Sequence, residues 1–212
     1  MTHGAALLLV AALGCAGAPA APPGAPAPTP RGSGPDASVA GGSSALDDMM
    51  RADLADDHAV EWSARPLTWS DFQGAPPTQG AEGAMTSYTL YSAWKCRGSV
   101  FEFRVIAGFR PRQSWVKPVI LNDTIQRRTI LGHEQTHFDL AEVHARIMRR
   151  AFAAVVNPCR KTDAHLTALA QRLAQEEKAE QRRYDVETHH GLLAAPQAAW
   201  TVQTRRRLSA SN

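Results

Sequence analysis

Residues 130–142 read Ile-Leu-Gly-His-Glu-Gln-Thr-His-Phe-Asp-Leu-Ala-Glu, and the rest of the chain is best read outward from them. They sit inside a proline-free run from Asp123 to Val156, broken only by Gly132 among good helix formers. Ile130, Leu131, Phe138, Ala141, Ile147, Phe152 and Val155 supply apolar positions at helical spacing. This predicts one long helix, ended by Asn157-Pro158 because proline cannot continue the hydrogen-bond ladder. On a helix, positions i and i+4 lie one above the other, so His133 and His137 can both reach one metal ion. Glu134 is offset by one position and can take a proton from a water at that metal. His-Glu-x-x-His on a helix is the arrangement that binds Zn2+ for hydrolysis, with the glutamate as general base. The expectation from these residues is a zinc-dependent peptidase. The alternative is a non-catalytic domain that keeps zinc, or only the shape, for binding in the cell envelope.

Two histidines leave a catalytic zinc one protein ligand short. A second helix is predicted from the N-capping residues Thr162 or Asp163, with Leu166, Leu169, Leu173 and Ala174 on one stripe, to about His189. Gly191 is its natural stop. His137 lies roughly 30 Å along the first helix from its end. In an antiparallel hairpin the returning helix comes level with it around residues 180–187. Asp185 suits that level first, His190 second, if a loop swings it in, and Glu187 third. Glu142 and His144 lie too far along to share the metal and are read as structural.

Towards the N-terminus the pattern changes. Residues 84–95 (AMTSYTLYSAWK) and 100–109 (VFEFRVIAGF) carry most of the β-branched clusters and several aromatics. Phe101, Phe103, Val105 and Ala107 alternate with Glu102, Arg104 and Ile106, the period of a sheet face. A turn at Cys96-Arg97-Gly98-Ser99 makes an antiparallel hairpin the economical reading. A third extended segment is expected from Val60 to Trp69, with Pro66 at an edge or bend. Trp69, Asp71 and Phe72 are candidates for a wall of a substrate groove, although aromatics in such a segment are more often core. The fold class expected is α+β: a small antiparallel sheet, then a site-bearing helix, then a second antiparallel helix.

Composition sets the boundaries. Of 212 residues, the first 45 hold 28 Ala, Gly or Pro and no aromatic. Ala5 to Leu13 has the length of the apolar part of a signal peptide. Small residues before Cys15 resemble a lipoprotein cleavage site, which would anchor the chain to a membrane; ordinary cleavage near Ala18 or Ala20 is the other reading. The expected order is a signal peptide over 1–15, a Pro/Ala/Gly tether over 16–45, a zincin-like domain over 46–205 and a tail over 206–212. The protein is expected outside the cytoplasm, as a monomer acting on a peptide or protein. A net charge of +3 gives no reason to expect nucleic-acid binding. Paired arginines account for a pI near 9.0 and read as solvated helix faces. Without Cys15 two cysteines remain, and in an oxidising compartment Cys96 and Cys159 are expected to form a disulfide.

HEQTHFDLAE, followed some fifty residues later by Tyr184-Asp185-Val186-Glu187-Thr188-His189-His190-Gly191, resembles a bacterial domain family described as predicted secreted zinc-dependent proteases, otherwise of unknown function. Leu67-Thr68-Trp69-Ser70-Asp71-Phe72-Gln73-Gly74, Ala84-Met85-Thr86 and Ser114-Trp115-Val116 agree with it. The resemblance spans about residues 60–200. It implies a zincin-like core, with Asp185, His190 and Gly191 in a recurring element. If Asp185 binds the metal, His190 or Tyr184 would then stabilise the oxyanion.

Overall fold

The computed structural model describes residues 10–12 and 45–210. Strands β4 (Tyr88–Arg97) and β5 (Val100–Phe109) form an antiparallel hairpin in register from Tyr88 opposite Phe109 to Arg97 opposite Val100. Only Gly98 and Ser99 lie between them, and Gly98 takes the left-handed φ of +61° that a tight turn demands. The expected turn is thus shorter than four residues, because Cys96 and Arg97 pair as strand. Short β2 (Val60–Glu61) lies antiparallel along β5, and β1 (Val10–Ala12) lies parallel along β4. A separate pair, β3 (Ala84–Met85) with β6 (Trp115–Val116), stands beside this sheet. The extended segment expected over 84–95 is therefore two strands in two sheets.

Helices cover both faces of the hairpin. On one face Leu90, Trp94, Val105, Ala107 and Phe109 join a core with Phe138, Ala141, Met148 and Phe152. Those last four lie on α3 (Thr124–Ala153), and Phe103 stacks on Phe152 at 3.9 Å. On the other face Tyr91, Ala93 and Ile106 meet Leu46, Met50 and Leu54 of α1 (Ala45–Asp56). Cover on both sides explains why β4 is buried continuously from Tyr88 to Trp94. The fold is α+β.

The long helix forms as expected, capped by Asp123, whose carboxylate accepts the N–H groups of Ile125 and Gln126. A five-residue α2 (Pro118–Asn122) precedes it. The returning helix α4 (Asp163–Thr188) is capped by the Thr162 hydroxyl. Besides the short α2, two helices go beyond the sequence expectations. One is α1, whose Leu46, Met50 and Leu54 repeat every four residues. The other is α5 (Ala194–Ser209), which runs through the expected domain boundary at residue 205. Extended chain over 60–69 is limited to β2. Instead the Asp71 carboxylate draws residues 69–71 into a 3-10 turn. It accepts the Thr68 backbone N–H at 2.7 Å and hydroxyl at 2.9 Å. A side chain that binds its own backbone competes with strand pairing.

The expected signal cleavage, lipidation at Cys15 and tether lie outside the described residues, apart from Val10–Ala12. No helix among the described residues is long and apolar enough to cross a membrane.

Two clamps close the layers. Cys96 on β4 and Cys159 after α3 are bridged, with Cα atoms 5.8 Å apart and a separation of 63 positions in sequence. Glu180 of α4 receives His144 of α3 at 2.7 Å and Arg207 of α5 at 2.7 and 3.0 Å. Burial pushes the Glu180 carboxyl up, but His144 and Arg207 outweigh it and bring it down to about 2.

Replacing both cysteines by alanine is expected to lower stability by about 2–4 kcal/mol, read by denaturant unfolding, since closure of so long a loop limits the unfolded chain. A carboxyl held lower in the folded than the unfolded state stabilises above its unfolded pKa, and that contribution fades as pH falls towards the folded value. The protein should therefore lose stability between about pH 4.5 and 2. Glu180→Gln should be less stable at pH 7 and lose less on acidification, measured by circular dichroism.

Candidate metal centre

One turn of α3 separates His133 from His137, and the hairpin brings Asp185 of α4 level with both. His133 Nε2 and His137 Nε2 are 3.1 Å apart. Asp185 Oδ1 lies 3.2 Å from the first and 2.9 Å from the second. Among the described residues these three are the one group of three or more such side chains gathered closely enough to hold a metal ion.

The protonation of the rings is set from behind. His133 Nδ1 lies 3.1 Å from Gln197 Oε1, and His137 Nδ1 lies 2.7 Å from Gln181 Oε1. An amide oxygen only accepts, so each Nδ1 carries the hydrogen and donates it. Each Nε2 then presents a lone pair towards the other and towards a carboxylate oxygen. Three acceptors this close require a cation between them. A tetrahedral zinc with bonds of roughly 2.0–2.1 Å holds its ligand atoms about 3.3 Å apart, close to the observed spacings. Without a metal, a proton fills the same need. Burial alone would lower the His137 pKa, yet the Asp185 hydrogen bond and charge, with Glu134 nearby, raise it to about 9. Asp185 moves the opposite way. Burial pushes it up, but its bonds to His133 and His137 hold it well below the usual carboxylate range.

Glu134 is only 3% exposed, and its carboxylate makes no hydrogen bond or ion pair among the described residues. Its backbone oxygen accepts the Thr86 hydroxyl at 3.3 Å, which sets the end of β3 beside the site. The two residues between the histidines serve the scaffold. Gln135 accepts the Leu67 N–H at 2.7 Å and donates to Asp139 at 2.8 Å. Asp139 also accepts the Trp62 indole at 2.9 Å. The 62–67 segment is thereby pinned to α3.

After α4 the chain turns sharply. His189, His190 and Gly191 have φ of 49°, 53° and 81°, three left-handed residues in succession. Glycine is required at the third. A Cβ there would stand 2.8 Å from His133 Cβ. The Thr188 hydroxyl accepts the Gly191 N–H at 3.2 Å and helps hold the turn. Strain of this kind persists only where the surroundings over-determine it.

The turn leaves the His190 ring 54% exposed, with Nδ1 3.6 Å from Asp185 Oδ1. His190 stands beside the three-atom cluster, not in it. Glu187 faces elsewhere and accepts the Trp200 indole at 2.8 Å. Tyr184 requires a correction. It is wholly buried, stacks on the His133 ring at 4.7 Å and donates to Gln197 Oε1 at 2.7 Å. Its hydroxyl is enclosed beside Gln197 on the Nδ1 side of His133, so it is not free to meet an oxyanion on the Nε2 side, as the sequence expectation required. The groove-wall expectation also fails for two residues. Asp71 is buried and bound by Arg65 at 2.5 and 2.8 Å, and Phe72 packs against Phe109 in the core. Trp69 packs on Phe72 and donates its indole to Arg127 O.

Sequence reading missed Gln181 and Gln197. Gln181 had a signal, since it lies one turn before Asp185 on the same helix. Gln197 had none, because α5 itself was not anticipated.

Residues 111–191 match the model of a bacterial family described as "Bacterial protein of unknown function (DUF922)". The matched segment begins after the hairpin, carries His133, Glu134, His137 and Asp185, and ends at Gly191. No curated protein and no solved structure matches the chain.

Gly191→Ala should destabilise the protein by about 1–3 kcal/mol, because it combines a left-handed φ with a contact against His133. Thermal unfolding measures the loss. The same change at Gly98, where a Cβ meets nothing within 4 Å, should be the milder of the two.

Proposed function

We propose that this chain is a zinc-dependent peptidase of zincin type, with His133, His137 and Asp185 as metal ligands and Glu134 as general base. The observation that carries the reading is the convergence of two imidazole lone pairs and a carboxylate oxygen at about tetrahedral-edge spacing. The uncommitted Glu134 carboxylate beside them supports hydrolysis rather than metal storage. Zinc bound there would supply Lewis acidity and a water acidified towards neutral pH. Glu134 accepts the proton of the attacking water and passes it to the leaving amine as the C–N bond breaks. His190, exposed beside the cluster, donates a hydrogen bond to the oxygen that becomes negative when water adds to the carbonyl. Gln181 and Gln197 hold the two imidazoles in the tautomer that leaves Nε2 open. Export, with or without a lipid at Cys15, belongs to this proposal on the sequence of residues 5–15.

The purified protein is expected to hold about one zinc per chain and to cleave an unstructured protein such as casein. Glu134→Gln should keep the zinc and lose roughly 10²- to 10⁴-fold in rate. Equal activity in both proteins would reject the mechanism. Zinc without any hydrolysis would favour a binding domain. Asp185→Ala should lose zinc, whereas His190→Ala should keep zinc and lose turnover. The reverse pattern would move His190 into the ligand set.

A further inference from the structure

Glu177 lies 1% exposed in the core, two turns of α4 before Asp185, and no lysine or arginine pairs with it among the described residues. Burying a carboxylate is costly unless something compensates it. Its partners are neutral. The Tyr88 hydroxyl donates to Glu177 Oε1 from β4, and Gln181 Nε2 donates to the same oxygen at 2.9 Å. Gln181 Nε2 also donates to the His137 backbone oxygen at 3.0 Å. Its Oε1 is left facing His137 Nδ1.

The amide of glutamine is nearly symmetrical in shape, and either end could face His137. The wrong end would donate to Nδ1, move the ring hydrogen to Nε2 and place it where a metal must bind. Two acceptors hold the NH2 end away, the His137 backbone oxygen and the Glu177 side chain, and Glu177 is the one fixed from a second element, by Tyr88 of β4. We propose that Glu177 is a positioning residue which acts through Gln181 to keep His137 Nε2 free for a metal ion. The inference rests on the metal reading above and deepens it. Glu177, Asp185 and Glu134 have no lysine or arginine partner among the described residues, so a divalent cation would be the counter-charge that makes the buried Glu177 tolerable. The metal and the carboxylate would stabilise each other through His137 and Gln181.

This predicts opposite signs in two measurements. Zinc affinity of the purified protein, read by competition with a chromophoric chelator, should fall roughly ten- to hundredfold in Glu177→Gln. The thermal midpoint of the metal-free protein should stay level or rise, because a buried acid held only by neutral donors is replaced by a neutral amide of the same shape. Tyr88→Phe retains the acid but frees it from β4, and should lower zinc affinity severalfold. It also decides the question if Glu177→Gln does not fold. Unchanged zinc affinity in a folded variant overturns the proposal. So does a metal-free midpoint that falls in step with affinity, the mark of a merely structural role. A wild-type protein that binds no zinc overturns the metal reading and this inference together, whereas normal wild-type binding with unaltered variants overturns this inference alone.

Discussion

Three hydrogen-bond acceptors held about 3 Å apart cannot rest without a positive charge among them, and much of this molecule serves to hold them there. His133 and His137 share a helix face, but a helix alone lets both rings turn. Gln197 and Gln181 stop that by taking the Nδ1 hydrogens. Asp185 arrives from another helix, and its position depends on the α3–α4 hairpin. Gly191 lets the chain beyond Asp185 pass against His133 with no side chain in the way. Each device would be superfluous for a helix with two ordinary surface histidines.

The sheet is the platform for this arrangement rather than part of it. Its hairpin buries one face under α3 and the other under α1, so α3 rests on a surface that is itself supported from behind. The disulfide joins the far end of that hairpin to the connection after α3. Glu180 ties α3, α4 and α5 at the level of His144, two turns beyond His137. Trp62, Leu67 and Gln135 fasten the loop before β3 to the same helix. Glu134 is thus kept buried while its carboxylate remains uncommitted.

The geometry of the His133, His137 and Asp185 group was partly legible because helices have a fixed rise. Counting back from Asn157 and forward from Thr162 placed Asp185 opposite His137, and the hairpin brings those residues together. The same counting ranked Asp185 ahead of His190 and Glu187 without excluding them, because the position of His190 depends on a left-handed turn after the helix. Nor could it reveal that the Tyr184 hydroxyl is enclosed. That depends on Gln197, which α5 brings from outside the hairpin. In the strand half, period-two alternation identified the faces of β5. It was silent on β4, where both faces are covered and every position from Tyr88 to Trp94 is buried.

From the sequence alone came the long helix, the His-Glu-x-x-His face, the hairpin of strands, the short list for a third ligand and the pairing of Cys96 with Cys159. These rest on local periodicity, on chain length or on the absence of other partners. Only the tertiary structure decided which of three candidates meets the histidines, which glutamines set their tautomers and why residue 191 is glycine. Those are contacts between segments distant in sequence, and no local pattern encodes a distance across the fold.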